Sequence, residues 1–320
     1  MDSWFYIKVK TCKFLANTIS ALVFDRQKRH ALRDKLDPLN PQRCIAYLKK
    51  HYTDVSVITM DAKNEGSNNI WICWLQGVDN APEIVKNCIR SVEGLNKGSK
   101  NVVILTSKNL HQYAQLPSFI EDKWKNGLIS HAHFTDILRV YLMVRYGGYW
   151  IDATCMQTSP IPKEIAEQPV FLFRSHGDFS FTLIQNCFLH SQQNQYIMAK
   201  WYAAMIAYWK NENKTIHYFV HHLLFQALLQ KDDTFKVCFD KIPVLSDEGM
   251  HVTLHHLLAG ERFTEERIHE AQKASFIQKL SYKFSETLLK DKQSIASYLS
   301  EPYHTMAAGD SPSYAPYTAE

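Results

Sequence analysis

Asp136 and Arg139 stand three residues apart, and Asp152 follows thirteen residues after Arg139, behind the pair Gly147-Gly148. Three apart on a helix means neighbouring rows of one face, so a carboxylate and a guanidinium point the same way. Such a couple gives bidentate acceptors and donors to vicinal hydroxyls. An aspartate at the C-terminal end of a strand offers hard oxygens to a divalent cation such as manganese or magnesium, which in turn neutralises a diphosphate. Hydroxyls and a diphosphate occur together in a nucleotide sugar. Its leaving group gains negative charge as the glycosidic bond breaks, so fixed positive groups nearby act selectively on the transition state. Each element alone reads more simply: an Asp-Arg surface pair contributes about 0.2–0.5 kcal/mol, and a strand-end Asp caps a turn. The joint spacing, with the glycine pair and Trp150 between, favours the chemical reading.

The elements that must position these groups follow from hydrophobic periodicity. Phe134, Ile137, Leu138, Tyr141, Leu142 and Val144 predict a core-packed helix over 131–146, which the glycine pair ends. Tyr149 to Asp152 then reads as a strand with Trp150 and Asp152 on one side. In open α/β sheets that strand end is where ligands bind. Upstream, the apolar run 70–75, a helix opened by Pro82 and running to about residue 92, and the strand 101–106 make a strand-helix-strand unit. Further strands are predicted at 170–174 and 181–189, and helices near 195–210 and 216–230. Residues 1–66 read as a helical, basic extension packed on the core, ending in a polar loop from Asp61 to Asn69. Residues 67–303 read as one α/β domain, and 304–320 as a loose tail.

The 320 residues are 46% hydrophobic, enough for a large core, and the net charge of +4 is uneven. Residues 1–50 carry 11 Lys and Arg against 4 Asp, which leaves the remainder net acidic. That basic region suits an anionic membrane surface, with a solvated helical face as the plainer alternative. Nucleic acid is not expected as a partner. The seven cysteines form no C-x-x-C and no zinc-ligand spacing, and read as reduced thiols. No signal peptide and no run of 18 apolar residues is present in the sequence, so the expected location is cytoplasmic, peripheral at the inner face of a membrane. His217, His221 and His222 lack the glutamate of an H-E-x-x-H pattern and are not read as metal ligands.

The segment HFTDILRVYLMVRYGGYWIDAT, residues 133–154, resembles the D-x-x-R…G-G-x-[YW]-x-D-x-[DT] core of the capsular-polysaccharide-synthesis glycosyltransferases. It is similar also to the yeast α-1,6-mannosyltransferase-like enzymes and the clostridial glucosylating toxins. Two flanking pieces resemble the same family: IWICWLQGVDNAPEIVKNCIRSV (70–92) and SFIQKLSYK (275–283). The resemblance implies a GT-A type nucleotide-sugar-binding domain, with a mixed, mainly parallel sheet and helical additions at both ends. It implies transfer of a hexose, with retention, from a nucleotide diphosphate sugar to a glycan or lipid-linked acceptor during surface polysaccharide synthesis.

Residue by residue, the resemblance implies that Trp74 stacks on the base, with Gln76 and Gly77 near the ribose. Asp136 and Arg139 would hold the donor sugar, Trp150 would line the ribose pocket, and Asp152 would contact ribose and metal. Asn186 would lie near sugar and acceptor, and Lys279, Ser281 and Lys283 would face the diphosphate. Thr154 stands where related enzymes carry a second carboxylate, so a divalent cation at Asp152 and Thr154 is expected to bind weakly. Lys279 is a candidate to take over part of its role. Plainer readings exist for each: Trp74 and Trp150 as core, Asn186 as a partner for buried backbone, Lys279 and Lys283 as surface lysines. Two other functions are kept open: a binding or scaffold protein with a degenerate metal motif, and a sugar-phosphate nucleotidylyltransferase. The second normally needs a glycine-rich phosphate loop, and WLQGVDNAPE has only Gly77.

Overall fold

The apolar run that opens the α/β pattern is strand β1 (Asn69–Cys73), buried at all five positions, as a strand covered on both faces must be. The computed structural model describes Thr18, Asp37 and residues 40–61 and 68–306. β1 lies between β2 (Asn101–Leu105) and β3 (Gly148–Ile151), parallel to both, and the sheet order is β2-β1-β3-β6-β5. β6 (Ile184–Ser191) runs antiparallel to β3 and to β5 (Val170–Arg174), so four strands share a direction and β6 alone opposes them. This is the mixed, mainly parallel sheet that the sequence pattern and the resemblance imply. β6 starts later than expected because Gly177–Thr182 forms a 3-10 turn that ends at Leu183 with φ 68°.

The helix Glu83–Asn96 buries Ile84, Val85, Cys88, Ile89 and Val92, one stripe at helical spacing. A second, two-stranded sheet joins β4 (Cys155–Gln157) to β7 (Ile277–Lys279) in antiparallel register, with Cys155 opposite Lys279. The helix holds that sheet through its polar residues: Asn96 Nδ2 donates to Gln157 Oε1 at 2.7 Å, and the Gln157 N–H donates to Ser91 Oγ at 2.9 Å.

Contacts group the chain into two units. Both sheets belong to one, made of Thr59–Gln115, Leu138–Met198 and Ile242 onward. The other combines the described residues up to Ile58 with Leu116–Ile137 and Ala199–Lys241, and it is helical. Its core is aromatic: the Trp201 ring lies 4.1 Å from His221 and 4.8 Å from Phe225, which also meets Phe235 at 4.8 Å. Glu212, 1% exposed, accepts from the hydroxyls of Tyr47 and Tyr52. Burial, with the Glu212 contact, pushes the Tyr52 phenol far up and keeps it a donor. His221 and His222 are buried on the helix Val220–Leu229.

Helix in the N-terminal region is described at Thr18 and over Pro41–His51, with Asn40 capping the latter by accepting from the Arg43 N–H. The expected helical extension is interrupted: residues 55–61 are irregular. The β-branched run Val55, Val57, Ile58 and Thr59 explains the stop, since such side chains lose χ1 freedom in a helix. The rest of the basic region and most of the 61–69 loop lie outside the described residues. At the other end, Met306 is not loose: it is 1% exposed, and its carbonyl accepts from Gln272 Nε2. Residues 307–320 lie outside the described residues. Six described cysteines are free thiols, five of them buried; burial pushes the Cys88 thiol up to about 12. Among the described residues no helix is long and apolar enough to cross a membrane.

Candidate functional site

β1 and β3 are parallel neighbours with Trp71 opposite Trp150, so the residues after each strand emerge at one edge of the sheet. Trp74 and Asp152 are those residues. Between the helix His131–Arg145 and β3, Gly147 and Gly148 take φ of 68° and 89°, the left-handed region that glycine enters without steric cost. The reversal carries the chain from Arg139 on the helix to Asp152 at the end of β3.

Asp152 is the hub. Its backbone N–H donates to the Cys187 carbonyl at 2.8 Å, and its own carbonyl accepts from Cys155 N–H at 2.8 Å, closing a tight turn before β4. Its Oδ1 accepts from Trp150 Nε1 at 2.8 Å and lies 3.2 Å from Arg139. Its Oδ2 accepts from Lys279 Nζ at 3.0 Å, and the same ammonium donates to Thr154 Oγ1 at 2.6 Å. Burial alone would raise the Asp152 pKa, but Arg139, Lys279 and the Trp150 N–H hold the carboxyl below its ordinary range. Burial disfavours the Lys279 ammonium, and Asp152 together with Cys155 and Cys187 outweighs it, pushing that pKa up. The cluster therefore carries two fixed cations and one fixed anion.

Arg139 is 6% exposed, and its guanidinium sits 5.1 Å from the centre of the Trp150 ring. It also donates to the Asn186 backbone carbonyl. Asn186 thus reaches the site through its main chain, and its buried side chain lies on β6 beside it. Trp150 is 1% exposed and enters the site through its N–H to Asp152, not through an open ring face.

Trp74 is half-buried, its ring 5.4 Å from that of Tyr282 in an edge-on arrangement, and its buried Nε1 has no hydrogen-bond partner. A buried tryptophan N–H without a partner in the chain is a donor open to a water or a bound molecule. Gly77, φ 86°, closes the turn after it, with its N–H on the Trp74 carbonyl, and Gln76 is exposed there. Ser281 Oγ accepts from Lys283 N–H, folding the loop that presents Tyr282 and the exposed Lys283. The sequence gives no sign of Tyr282, because nothing local distinguishes it from any exposed tyrosine.

Asp136 shares the helix of Arg139, but the helix crosses from one unit to the other between Ile137 and Leu138. In its own unit Asp136 lines a small cleft with His133, Tyr208, Trp209 and Leu224. The cleft's volume of 10 Å³ is about that of one water site.

Among the described residues no group of three or more His, Cys, Asp or Glu side chains is arranged to hold a metal. Asp152 with Thr154 supplies one carboxylate and one neutral hydroxyl, and both already accept from Lys279. That is a poor donor set for manganese or magnesium, which take several hard oxygens.

The family model of the capsular polysaccharide synthesis protein matches residues 26–300. This chain belongs to that family. The match spans the whole cluster just described, from Trp74 to Tyr282, and extends beyond the residues that carry the resemblance in the sequence. Among solved structures this family member is similar to one titled PaToxG Glycosyltransferase, at 15% identity over 83% of this chain and 99% of that one, with a TM-score of 0.40. No curated protein matches it in sequence.

Proposed function

We propose that this chain is a glycosyltransferase of the GT-A type. It moves a hexose from a nucleotide diphosphate sugar to a glycan or lipid-linked acceptor in surface polysaccharide synthesis. Family membership supports the glycosyltransferase role. The observation that carries the rest is the cation-rich cluster of Arg139 and Lys279 on Asp152, at the same sheet edge as Trp74 with its unpartnered N–H. A diphosphate fits the surplus positive charge, and a base fits the tryptophan. Arg139, paired with Asp152 at the end of β3, addresses the sugar hydroxyls. The Gln76-Gly77 turn addresses the ribose. Peripheral membrane association through the basic residues 1–50 is part of this reading, since a lipid-linked acceptor sits at the membrane surface.

The test is incubation with a panel of UDP-, GDP- and CMP-sugars, reading release of nucleotide. Release of a nucleoside diphosphate from one sugar donor is the expected result. Binding without release indicates a scaffold. Turnover only with a sugar phosphate and a nucleoside triphosphate indicates a nucleotidylyltransferase.

Replacing Trp74 separates the base from the rest of the donor. Base stacking on an aromatic side chain contributes about 1–3 kcal/mol. Trp74→Ala is therefore expected to weaken binding of the nucleoside diphosphate roughly tenfold or more by calorimetry. Trp74→Phe, which keeps a ring and loses the N–H, should fall between. Equal affinity in all three proteins removes Trp74 from the site.

A further inference from the structure

We propose that the Lys279 ammonium is the built-in counter-ion of the donor diphosphate, and that sugar transfer by this chain needs no divalent cation. This role rests on the nucleotide-sugar reading above and states how that site neutralises its ligand.

Three observations carry it. First, the place between Asp152 Oδ2 and Thr154 Oγ1 is filled: Lys279 Nζ lies 3.0 Å from one and 2.6 Å from the other. A divalent cation on those two oxygens would sit against a like charge, with the Arg139 guanidinium 3.2 Å from the remaining carboxylate oxygen. Second, the oxygen set is short by a carboxylate, because residue 154 is threonine. The single aspartate already accepts from Trp150 and Lys279 and pairs with Arg139. Third, the lysine is held in place by secondary structure. β7 fixes it opposite Cys155, the Leu280 N–H donates to the Thr154 carbonyl at 2.8 Å, and the Gln278 side chain ties β7 to the carbonyls of Gly249 and Ala271. A lysine positioned from three sides is preorganised, and preorganised charge loses little to reorientation when the reaction develops its own.

An ammonium has three N–H donors, and Asp152 and Thr154 take two. The third suits a diphosphate oxygen. As the bond from the anomeric carbon to the diphosphate oxygen breaks, its electron pair leaves with the nucleoside diphosphate. The acceptor hydroxyl oxygen bonds to the anomeric carbon, and its proton is lost to solvent. Lys279 offsets the charge that gathers on the departing diphosphate.

The experiment measures UDP and GDP binding by calorimetry, and sugar transfer with the active donor, in EDTA and in manganese. The wild-type protein is expected to bind and turn over within twofold under both conditions. Lys279→Met, which keeps the aliphatic stem, should bind the nucleotide at least tenfold more weakly in EDTA, with folding checked by circular dichroism. Thr154→Asp combined with Lys279→Met supplies a second carboxylate and vacates the ammonium, and should make nucleotide binding depend on manganese. Wild-type binding or turnover that falls tenfold in EDTA and returns with manganese overturns the proposal while leaving the glycosyltransferase reading intact. So does undiminished binding by a folded Lys279→Met protein. Absence of nucleotide binding in both media removes the two readings together.

Discussion

Asp152→Asn is expected to remove sugar transfer by a factor of about 10²–10³ or more, and to destabilise the fold as well. The two effects share a cause. Asp152 contacts both Arg139 and Lys279, and Arg139 is almost fully buried. Removing one partner of a buried pair leaves charge uncompensated at about 3–5 kcal/mol; the side chains of Asp152 and Lys279, at 21% and 25% exposure, bring the expectation to roughly 3 kcal/mol. Arg139→Met should cost less stability, because it leaves Asp152 paired with Lys279.

The dependence on pH follows in sign. The folded pKa of Asp152 lies below the ordinary aspartate value of about 3.9, so its contribution is fully present above that value and is lost as pH falls through the folded one. The gap in Tm between wild type and Asp152→Asn is therefore expected to stay constant from about pH 8 to 5 and to close only below about pH 4. Near-normal transfer by the variant, or a gap that closes already at pH 6, contradicts the role given to Asp152.

The helix-to-strand half of this cluster can be read from sequence, and the lysine half cannot. Periodicity places Arg139 on a helix, the glycine pair ends that helix, and period-two alternation puts Trp150 and Asp152 on one side of β3. The Trp150 N–H on Asp152 agrees with that alternation. All of this is local, set by neighbours within about twenty residues. The partner of Asp152 on the far side is 127 residues away, on a strand three residues long that pairs with another three-residue strand. Neither strand is long enough to show a period, so only family resemblance points to Lys279, and nothing points to its contact with Thr154 or to Tyr282 beside Trp74. The division into units is hidden for a similar reason. Residues 116–137 and 199–241 join a separate helical unit through side chains such as Lys123, which donates to the Glu212 carbonyl across 89 positions. The amphipathic pattern of a helix says that one face is buried, and leaves unstated what covers it.

The turn that makes the local half possible leaves no room for a single added methyl group. At Gly147 a Cβ would stand 2.7 Å from the Ser191 carbonyl oxygen and 3.0 Å from the Gln193 nitrogen, both backbone atoms. Neither can swing aside as a side-chain tip would. The φ of 68° adds about 1–2 kcal/mol of strain for any L-residue with a Cβ, and overpacking a fixed site adds about 1–3 kcal/mol. Gly147→Ala should thus lose roughly 3 kcal/mol, a fall in Tm of roughly 4–5 °C for a chain of this size. Gly98→Ala is the control. Its φ of 77° is similar, but nothing lies within 4 Å of the added Cβ, so only the strain remains. The difference between the two variants isolates the close approach of the turn to the end of β6. Because the Gly147 carbonyl also accepts from Trp71 Nε1 on β1, displacing the turn moves β3 against β1 and carries Asp152 with it. Sugar transfer should accordingly fall in Gly147→Ala and survive in Gly98→Ala. Equal melting temperatures for the two would mean that the turn gives way easily, and then Asp152 is not held in place by the reversal at Gly147.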